Sequence, residues 1–276
     1  MIPEKQKELA RIFSQLHKQG MFILPNIWSP GSALVFEKQG FPAVATTSAG
    51  IAYDSGCADG EVLPFDTLLA TVEKIARRIT VPLSVDFERG YGDTVAEVTA
   101  NARRLLEAGA VGFNLEDGLP DGTLTPLPEQ IAKIRALADL KRNLGLDFVI
   151  NARTCAYWLD VGDETEKLRI AGKRGNAFAE AGADCVFIPG AIDEATVVRL
   201  VHDIHAPLNL ILNGKFNDFR KLREAGVRRL SIGSSLVRTI YGQQLSLAQQ
   251  LQAGQVSELL NTPFTYARAN QYFHRK

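Results

Sequence analysis

Short apolar or β-branched runs alternate along the chain with stretches whose apolar residues recur at helical spacing. That alternation predicts a parallel sheet with helices packed outside it. Strands are predicted near Met21–Pro25, Ala43–Thr47, Leu83–Asp86 and Gly112–Glu116. Four more are predicted near Phe148–Ala152, Cys185–Ile188, Leu208–Leu212 and Arg229–Ile232. Eight is the strand number of a closed (β/α)8 barrel of the TIM type. Between strands the helical signal is clear: Glu97 to Leu106 places Val98, Ala102, Leu105 and Leu106 on one face. Ala108-Gly109-Ala110, Ala181-Gly182-Ala183 and Ala225-Gly226-Val227 precede the fourth, sixth and eighth strands. Each glycine can end a helix in a left-handed conformation before the chain turns into a strand. This recurring punctuation favours a barrel of repeated βα units over an open doubly wound sheet.

Residues 4–19 read as a leading helix, and residues 234–276 as trailing helices. The chain has 276 residues and no Pro/Ser-rich linker divides it. Single α/β barrels commonly run to about 250 residues, so residues 1–276 are expected to form one barrel domain. Residues 254–276 exceed what a simple barrel needs and are expected to pack on a neighbouring subunit.

Composition narrows the class. Lys plus Arg number 31 and Asp plus Glu also 31, so the formal net charge is zero. Neither nucleic acid nor an anionic membrane is expected as the main partner, since both favour a concentrated basic face. The beginning, Met1-Ile2-Pro3-Glu4-Lys5-Gln6, lacks the apolar core of a secretory signal. No stretch approaches the roughly 20 predominantly apolar residues of a spanning helix. Cys57, Cys155 and Cys185 form no CxxC pair, which argues against a disulfide framework or a Cys-rich zinc site. A soluble cytoplasmic protein is the expectation.

In such a barrel the active site lies at the C-terminal ends of the strands. After the third predicted strand comes Asp86-Phe87-Glu88-Arg89-Gly90-Tyr91-Gly92. Asp86 and Glu88 are two apart and on extended backbone point the same way. After the fourth comes Asn114-Leu115-Glu116-Asp117-Gly118, a second pair of carboxylates on the adjoining rim. Four acids at one mouth would repel one another unless a cation lay between them. Carboxylate oxygens suit Mg²⁺, which keeps several waters and takes one or two direct protein ligands. The competing reading is that some of these acids cap helices or pair with Arg89. Arg153, after the fifth strand, could grip a substrate carboxylate in a bidentate fork or pair with a rim acid.

Taken together, these segments resemble the isocitrate lyase/phosphoenolpyruvate mutase superfamily. The resemblance rests on Asp86–Gly92, Asn114-Leu115-Glu116-Asp117, Pro25-Asn26-Ile27-Trp28, Thr46–Ala52 and Asp59-Gly60-Glu61, and runs from about residue 20 to 240 in order and spacing. It implies a barrel whose last helix is swapped between subunits, in homodimers that often pair into homotetramers. It implies Mg²⁺, with Mn²⁺ as the alternative ion, ligated directly by Asp86. Asp59, Glu88 and Glu116 would act mainly through metal-bound waters. Backbone N–H groups of Thr47, Ser48 and Ala49 would bind the carboxylate of a small 2-oxo acid, with Trp28 against it and Arg153 as the fixed cation. The implied chemistry is cleavage or formation of a carbon–carbon bond through an enolate stabilised on the metal, with Arg153, Glu116 and Tyr91 as catalytic candidates.

Departures from the pattern limit what the resemblance implies. The superfamily's isocitrate and methylisocitrate lyases carry a Lys-Lys-Cys-Gly-His segment after the fourth strand, whereas residues 117–126 here contain neither cysteine nor histidine. The Lys-Thr-Asn-Ser segment of the phosphonate enzymes is missing as well. Glu88 stands where many relatives have aspartate. The remaining branch includes oxaloacetate decarboxylases, with Tyr91, Tyr53 or a metal-bound water as the proton donor. A phosphonopyruvate or phosphoenolpyruvate phosphomutase and a non-catalytic 2-oxo-acid-binding member are the alternatives. Closure of the Asp117–Pro126 loop over the site is a further expectation, resting on its two glycines and few apolar anchors. Gly233-Ser234-Ser235 supplies a rival, phosphate binding by a sugar-phosphate enzyme, which leaves the acids unexplained. Cys57 and Cys155 read as inert thiols, and His202 with His205 as surface residues.

Overall fold

The computed structural model describes residues 2–190 and 192–274. The chain opens with α1 (Glu4–Leu16), two short strands, β1 (Phe22–Leu24) and β2 (Asn26–Ile27), and α2 (Pro30–Lys38). Next come β3 (Val44–Thr46), α3 (Ser48–Asp54), α4 (Phe65–Ala76), β4 (Leu83–Asp86) and α5 (Val95–Glu107). The alternation continues with β5 (Gly112–Glu116), α6 (Leu127–Leu144), β6 (Val149–Arg153), α7 (Glu164–Glu180), β7 (Cys185–Ile188) and α8 (Glu194–Asp203). It ends with β8 (Leu208–Ile211), α9 (Phe219–Glu224), β9 (Arg229–Ser231), α10 (Ser235–Gln252), α11 (Ser257–Leu260) and α12 (Tyr266–Phe273).

All strand pairings are parallel, in the order β1-β9-β8-β7-β6-β5-β4-β3-β2. The barrel closes because β1 and β2 are consecutive halves of one barrel strand. Pro25 divides them: it has no N–H for the ladder, yet its carbonyl still accepts the Ala45 N–H at 3.0 Å. The predicted strand Met21–Pro25 therefore covers only the first half, β1, which pairs with β9, and stops short of β2, which pairs with β3. The remaining predicted strands fall within a residue or so of those observed.

The helical punctuation is observed as well. Gly109, Gly182 and Gly226 have φ of 107°, 108° and 96°. A Cβ on Gly109 or on Gly182 would stand 2.7 Å from Ala76 or Ala138. These glycines thus serve both the turn and the close approach of the neighbouring helix. In α5 the buried residues are Val98, Ala102, Leu105 and Leu106, and a Thr94/Glu97 capping box starts the helix.

Helix α1 closes the N-terminal end of the barrel. Gln6 Nε2 donates to the carbonyls of Leu106 (2.6 Å) and Ala110 (2.9 Å). Phe13 enters beneath Gly112, where a Cβ would come within 2.8 Å of its ring. Above this plug the interior is polar. Arg229 is fully buried, 5.8 Å from the Phe13 ring centroid, and donates to Asn114 Oδ1 at 3.2 Å. Asn151 Nδ2 donates to the same oxygen at 2.7 Å.

At the C-terminal end of the chain, α12 lies against α2 of its own barrel, where Tyr272 Oη donates to the Val35 carbonyl at 3.3 Å and Lys38 to the Tyr272 carbonyl. Helix α10 buries only Val237, and Ile240, Leu245 and Leu251 are each half or more exposed. Among the described residues no helix is long and apolar enough to cross a membrane.

His17 caps the end of α1 with its ring between those of Phe13 and Phe22, and Nδ1 lies 2.8 Å from the Phe13 carbonyl. Burial, reinforced by the charges of Arg229 and Lys141, pulls its imidazole down to about 3. The folded protein therefore excludes the proton that the unfolded chain binds near pH 6.5. A folded pKa below the unfolded one contributes stability that is complete above pH 6.5 and is lost as pH falls towards 3. Replacing His17 with Phe removes this dependence. In urea unfolding, the stability of wild type relative to H17F is expected to drop by about 2 kcal/mol between pH 7.5 and pH 5; equal pH slopes for the two proteins would disprove it.

Candidate active site

In a parallel barrel every strand ends on the same rim, so residues distant in sequence meet at one mouth. Here the mouth encloses a cavity of about 610 Å³ lined by Asp59, Asp86, Glu88 and Glu116, with Arg153 beside them. Asp86 ends β4. Its Oδ2 faces the Ser48 hydroxyl at 3.2 Å and the Ser48 N–H at 3.4 Å, and Asn114 Nδ2 approaches Oδ1 at 3.5 Å. The Asp86 N–H donates to Thr46 Oγ1 at 2.8 Å. Asp86 is thus supported from β3 on one side and β5 on the other, and through Asn114 from Asn151 and Arg229 below.

Glu88 reaches the same cavity by a different route from that predicted. The strand ends at Asp86, and Glu88 adopts a left-handed φ of 50°. Two bonds hold its carboxylate: Tyr91 Oη donates to Oε1 at 2.7 Å and the Glu61 N–H to Oε2 at 2.8 Å. Glu61 and Tyr91 are also left-handed, at φ 58° and 50°. Glu61 Oε1 accepts the N–H groups of Arg89 and Tyr91, and Oε2 pairs with the Arg89 guanidinium at 2.6 Å. Loops 59–61 and 88–91 are thereby strapped together. Three non-glycine residues in a costly backbone region are held by these bonds, as is common where a site needs fixed geometry. Arg89 serves this strap and pairs with none of the cavity acids.

Burial and mutual repulsion weaken the acids. Burial, then the charge of Asp86, pushes Glu88 up to about 8. Burial outweighs the neighbouring Arg153 and raises Glu116 to about 7. Asp59 is also raised, by burial first, against a hydrogen bond from Ser48. Carboxyls shifted this way bind a cation or a proton in preference to standing charged side by side. The donor set is all oxygen, which suits Mg²⁺ or Mn²⁺ over softer metals. Among the described residues no three Asp, Glu, His or Cys side chains are placed to hold one ion together. Any ion held here would therefore have few direct protein ligands, which Mg²⁺ tolerates because it keeps several waters.

Arg153 ends β6 and bonds Glu116 Oε2 at 2.7 Å. Its guanidinium carbon lies 5.6 Å from the ring centroids of both Trp158 and Phe187. Arg153 also interacts with the Cys155 thiol, and its Nε is buried out of reach of solvent.

Several predicted residues stand elsewhere. Asp117 is fully buried away from the mouth: Oδ1 accepts the Cys155 N–H at 2.8 Å and Oδ2 pairs with Arg174 at 3.0 Å. The fourth acid of the cluster is Asp59, supplied by the loop after α3. Residues 117–126 form a small hairpin, with a Gly118–Leu124 bridge and Leu119 N–H to Thr123 carbonyl at 2.8 Å. Arg174 also bonds the Thr125 carbonyl at 2.6 Å. None of this segment lines the cavity; its base is held by Asp117 and Arg174, and its tip, residues 120–123, is exposed. Trp28 packs beneath α3, where a Cβ on Gly50 would stand 2.9 Å from its own; it does not line the cavity, whereas Trp158 does. Tyr91 lies behind Glu88, outside the lining, and Tyr53 in an outer cleft with Cys57 and Tyr241. Thr47, Ser48 and Ala49 line the cavity as expected, but the Ser48 N–H is directed at Asp86. Cys155 is buried, which pushes its thiol well up. His202 is exposed and bonds Asp203, and His205 is also exposed. Gly233, Ser234 and Ser235 line the cavity, yet the N–H groups of Ile232 and Gly233 are taken by Asn26 Oδ1, each at 2.8 Å.

Asn26, Asn114, Asn151, Arg229 and Trp158 were not singled out from sequence. Asn114 and Asn151 occupy equivalent positions on adjacent strands, a register visible only once strands are aligned.

The family model for phosphoenolpyruvate phosphomutase matches residues 13–252. An uncharacterized protein of Mycobacterium tuberculosis is 33% identical over 224 residues, 80% of this chain and 81% of that protein. The 2,3-dimethylmalate lyase of Eubacterium barkeri is 29% identical over 75% of this chain and 72% of its own. A crystal structure of a candidate lyase/mutase from Burkholderia cenocepacia superposes with a TM-score of 0.92 at 30% identity, covering 99% of this chain and 98% of that one. With the barrel, the site segments in order and a family match over most of its length, the chain belongs to the isocitrate lyase/phosphoenolpyruvate mutase superfamily of lyases and mutases.

Proposed function

We propose that the protein is a Mg²⁺-dependent carbon–carbon lyase acting on a small 2-oxo acid or its condensed or carboxylated derivative, in the manner of an oxaloacetate decarboxylase. The observation that carries this reading is the meeting of Asp59, Asp86, Glu88 and Glu116 with Arg153 on one cavity. Asp86, with Asp59, Glu88 and Glu116 around it, would hold the ion. Bound there, a divalent cation supplies positive charge against the negative charge that develops on the 2-oxo oxygen as the carbon–carbon bond breaks.

The chain's own residues do the rest. Arg153 binds the substrate carboxylate while Glu116 and the two aromatic rings fix its plane. Ser48 and Asn114 hold Asp86 in one orientation. Tyr91 positions Glu88 and does not itself meet the substrate. Neither Tyr91 nor Tyr53 lines the cavity, whereas Tyr157 does, so the proton taken up by the product carbon would come from water or from the Tyr157 hydroxyl. Glu116, coupled to Arg153, is the group best placed to orient that water. Asn26 ties the chain entering α10 to β2 through the Ile232 and Gly233 N–H groups.

We further propose that a second copy of the chain covers α10, giving a homodimer or homotetramer in the cytoplasm. The support is the run of exposed apolar side chains at Ile240, Leu245 and Leu251 on a helix with one buried residue.

With Mg²⁺ present, pyruvate release from oxaloacetate, 2-methyl-substituted malates or phosphonopyruvate is expected for at least one carbon–carbon substrate and is expected to vanish with chelator. Release from phosphonopyruvate alone would replace the lyase reading with a phosphonate one. D86A is expected to lose about a thousandfold in turnover with its thermal midpoint moved by no more than about 4 °C; full activity would remove Asp86 from the metal site. Light scattering is expected to give an oligomer for the wild type and a monomer for I240E/L245E, and a monomeric wild type would contradict the covered helix.

A further inference from the structure

Asp86 and Glu116 end strands, but Asp59 and Glu88 reach the cavity on turns, and the two turns are held very differently. Glu88 belongs to a turn tied down on both sides. Its carbonyl accepts the Glu116 N–H from β5 at 2.8 Å, and the Gly90 N–H donates to the Phe87 carbonyl at 2.9 Å. Asn101 Nδ2, on α5, donates to the Tyr91 carbonyl at 2.8 Å. Asp59 belongs to the loop between α3 and α4. Among the described residues, no backbone–backbone hydrogen bond involves residues 58–63. The polar ties of this loop to the rim are the Ser48 bond to the Asp59 carboxyl and the bonds of Glu61.

Glu61 supplies four bonds. Its N–H donates to Glu88 Oε2 at 2.8 Å, Oε1 accepts the Arg89 and Tyr91 N–H groups at 2.9 and 3.0 Å, and Oε2 pairs with the Arg89 guanidinium at 2.6 Å. Yet neither Glu61 nor Arg89 lines the cavity. The φ of 58° at Glu61 is one that glycine adopts far more readily. A glycine would relieve that strain and lose every side-chain bond.

We propose that Glu61 is a positioning residue that fixes Asp59 relative to Glu88 and thereby makes the site select a small divalent cation over a larger one. This rests on the metal-site reading above and adds the residue that determines ion size. Mg²⁺ binds oxygen at about 2.1 Å and keeps several waters, so it tolerates carboxylates that stay where they are. Ca²⁺ collects about six to eight oxygens at roughly 2.3–2.6 Å in a flexible shell. It therefore gains most where carboxylates can move in to add oxygens. Joining the Asp59 loop to the anchored Glu88 turn denies Ca²⁺ that adjustment and keeps the site ready for Mg²⁺.

Titration calorimetry of the full-length protein with Mg²⁺ and with Ca²⁺, without substrate, is the test. In E61A and E61G, Mg²⁺ affinity is expected to fall about tenfold. Ca²⁺ affinity is expected to stay within about threefold of wild type or to rise, so the preference for Mg²⁺ narrows by at least about threefold. E61G carries no left-handed strain, so it reports on the side chain even where E61A folds poorly. R89M keeps both N–H bonds to Oε1 and is expected to give a smaller shift of the same sign. Losing Glu61 also leaves the Arg89 charge unbalanced, which repels both ions alike. E61G/R89M removes that charge and is expected to regain part of the Mg²⁺ affinity while the narrowed preference persists. A Mg²⁺/Ca²⁺ ratio unchanged in E61G, or restored to wild type in E61G/R89M, would show that the strap serves only stability or net charge and would overturn the proposal. A wild type that prefers Ca²⁺ would overturn it as well and leave a metal site standing. Wild type that binds neither ion removes the metal-site reading itself, and the proposal with it.

Discussion

Four carboxyl groups held within one partly water-excluded mouth repel one another, and most of the surrounding structure can be understood as what makes that arrangement tolerable. Removing charged groups from water is costly unless opposite charge or hydrogen-bond donors replace it. Glu88 has its Tyr91 hydroxyl and Glu61 N–H, Glu116 has Arg153, and Asp86 has Ser48 and Asn114. Even so, Glu88 and Glu116 remain shifted to about 8 and 7. The protein's own donors therefore compensate only part of the cost of burial and repulsion.

The same constraint explains the polar barrel interior. A barrel core of branched aliphatic residues would pack well but could not support a carboxylate above it. Here Arg229, Asn151 and Asn114 connect the barrel floor to Asp86 by hydrogen bonds. A buried guanidinium is expensive by itself. It is retained next to an aromatic face and beneath an acidic cluster whose field it offsets, with α1 sealing it from solvent. Sheet, plug and site are one electrostatic arrangement, in which the apolar packing lies mainly between the strands and the outer helices.

How far the chain could be read from its pattern follows from the same division. The strands were legible because buried parallel strands are continuous apolar runs, and the turns because Gly109, Gly182 and Gly226 are required by backbone geometry. The prolyl break at residue 25 was not anticipated: the apolar run continues through it, and only the pairing shows one strand serving two neighbours. Asp86 and Glu116 were legible because they end strands. Asp117, one residue further, was placed in the mouth in error; at a strand end a single step turns a side chain to the other face, where Arg174 receives it. That Trp158 and not Trp28 lines the cavity was not legible for a related reason. Loop residues have no periodicity to orient them, so which of two tryptophans reaches the cavity depends on packing by α3 in one case and on Arg153 in the other. Asn114, Asn151 and Arg229 carried no local signal, since their relation exists only across strands.

Rigidity is distributed unevenly around the mouth, and this bears on how the site works. The 59–61 and 88–91 loops are bound to each other through Glu61 and Arg89, and the 117–126 hairpin is pinned by Asp117 and Arg174. On the β3–β5 side, then, nothing needs to move for the acids to take up their positions. On the β7–β8 side Phe187, Pro189, Ile211 and Leu212 line the cavity, Asn213 bonds only within its own loop, and Trp158 stands half in solvent. Charge positioning demands fixed geometry because Coulomb interactions in a low-dielectric mouth change steeply with distance. Apolar recognition is tolerant, since burial has no preferred direction. A fixed charged half and a permissive apolar half let one set of carboxylates be kept while the facing wall changes, and that asymmetry is a physical route by which a barrel can retain its reaction type as its substrate varies.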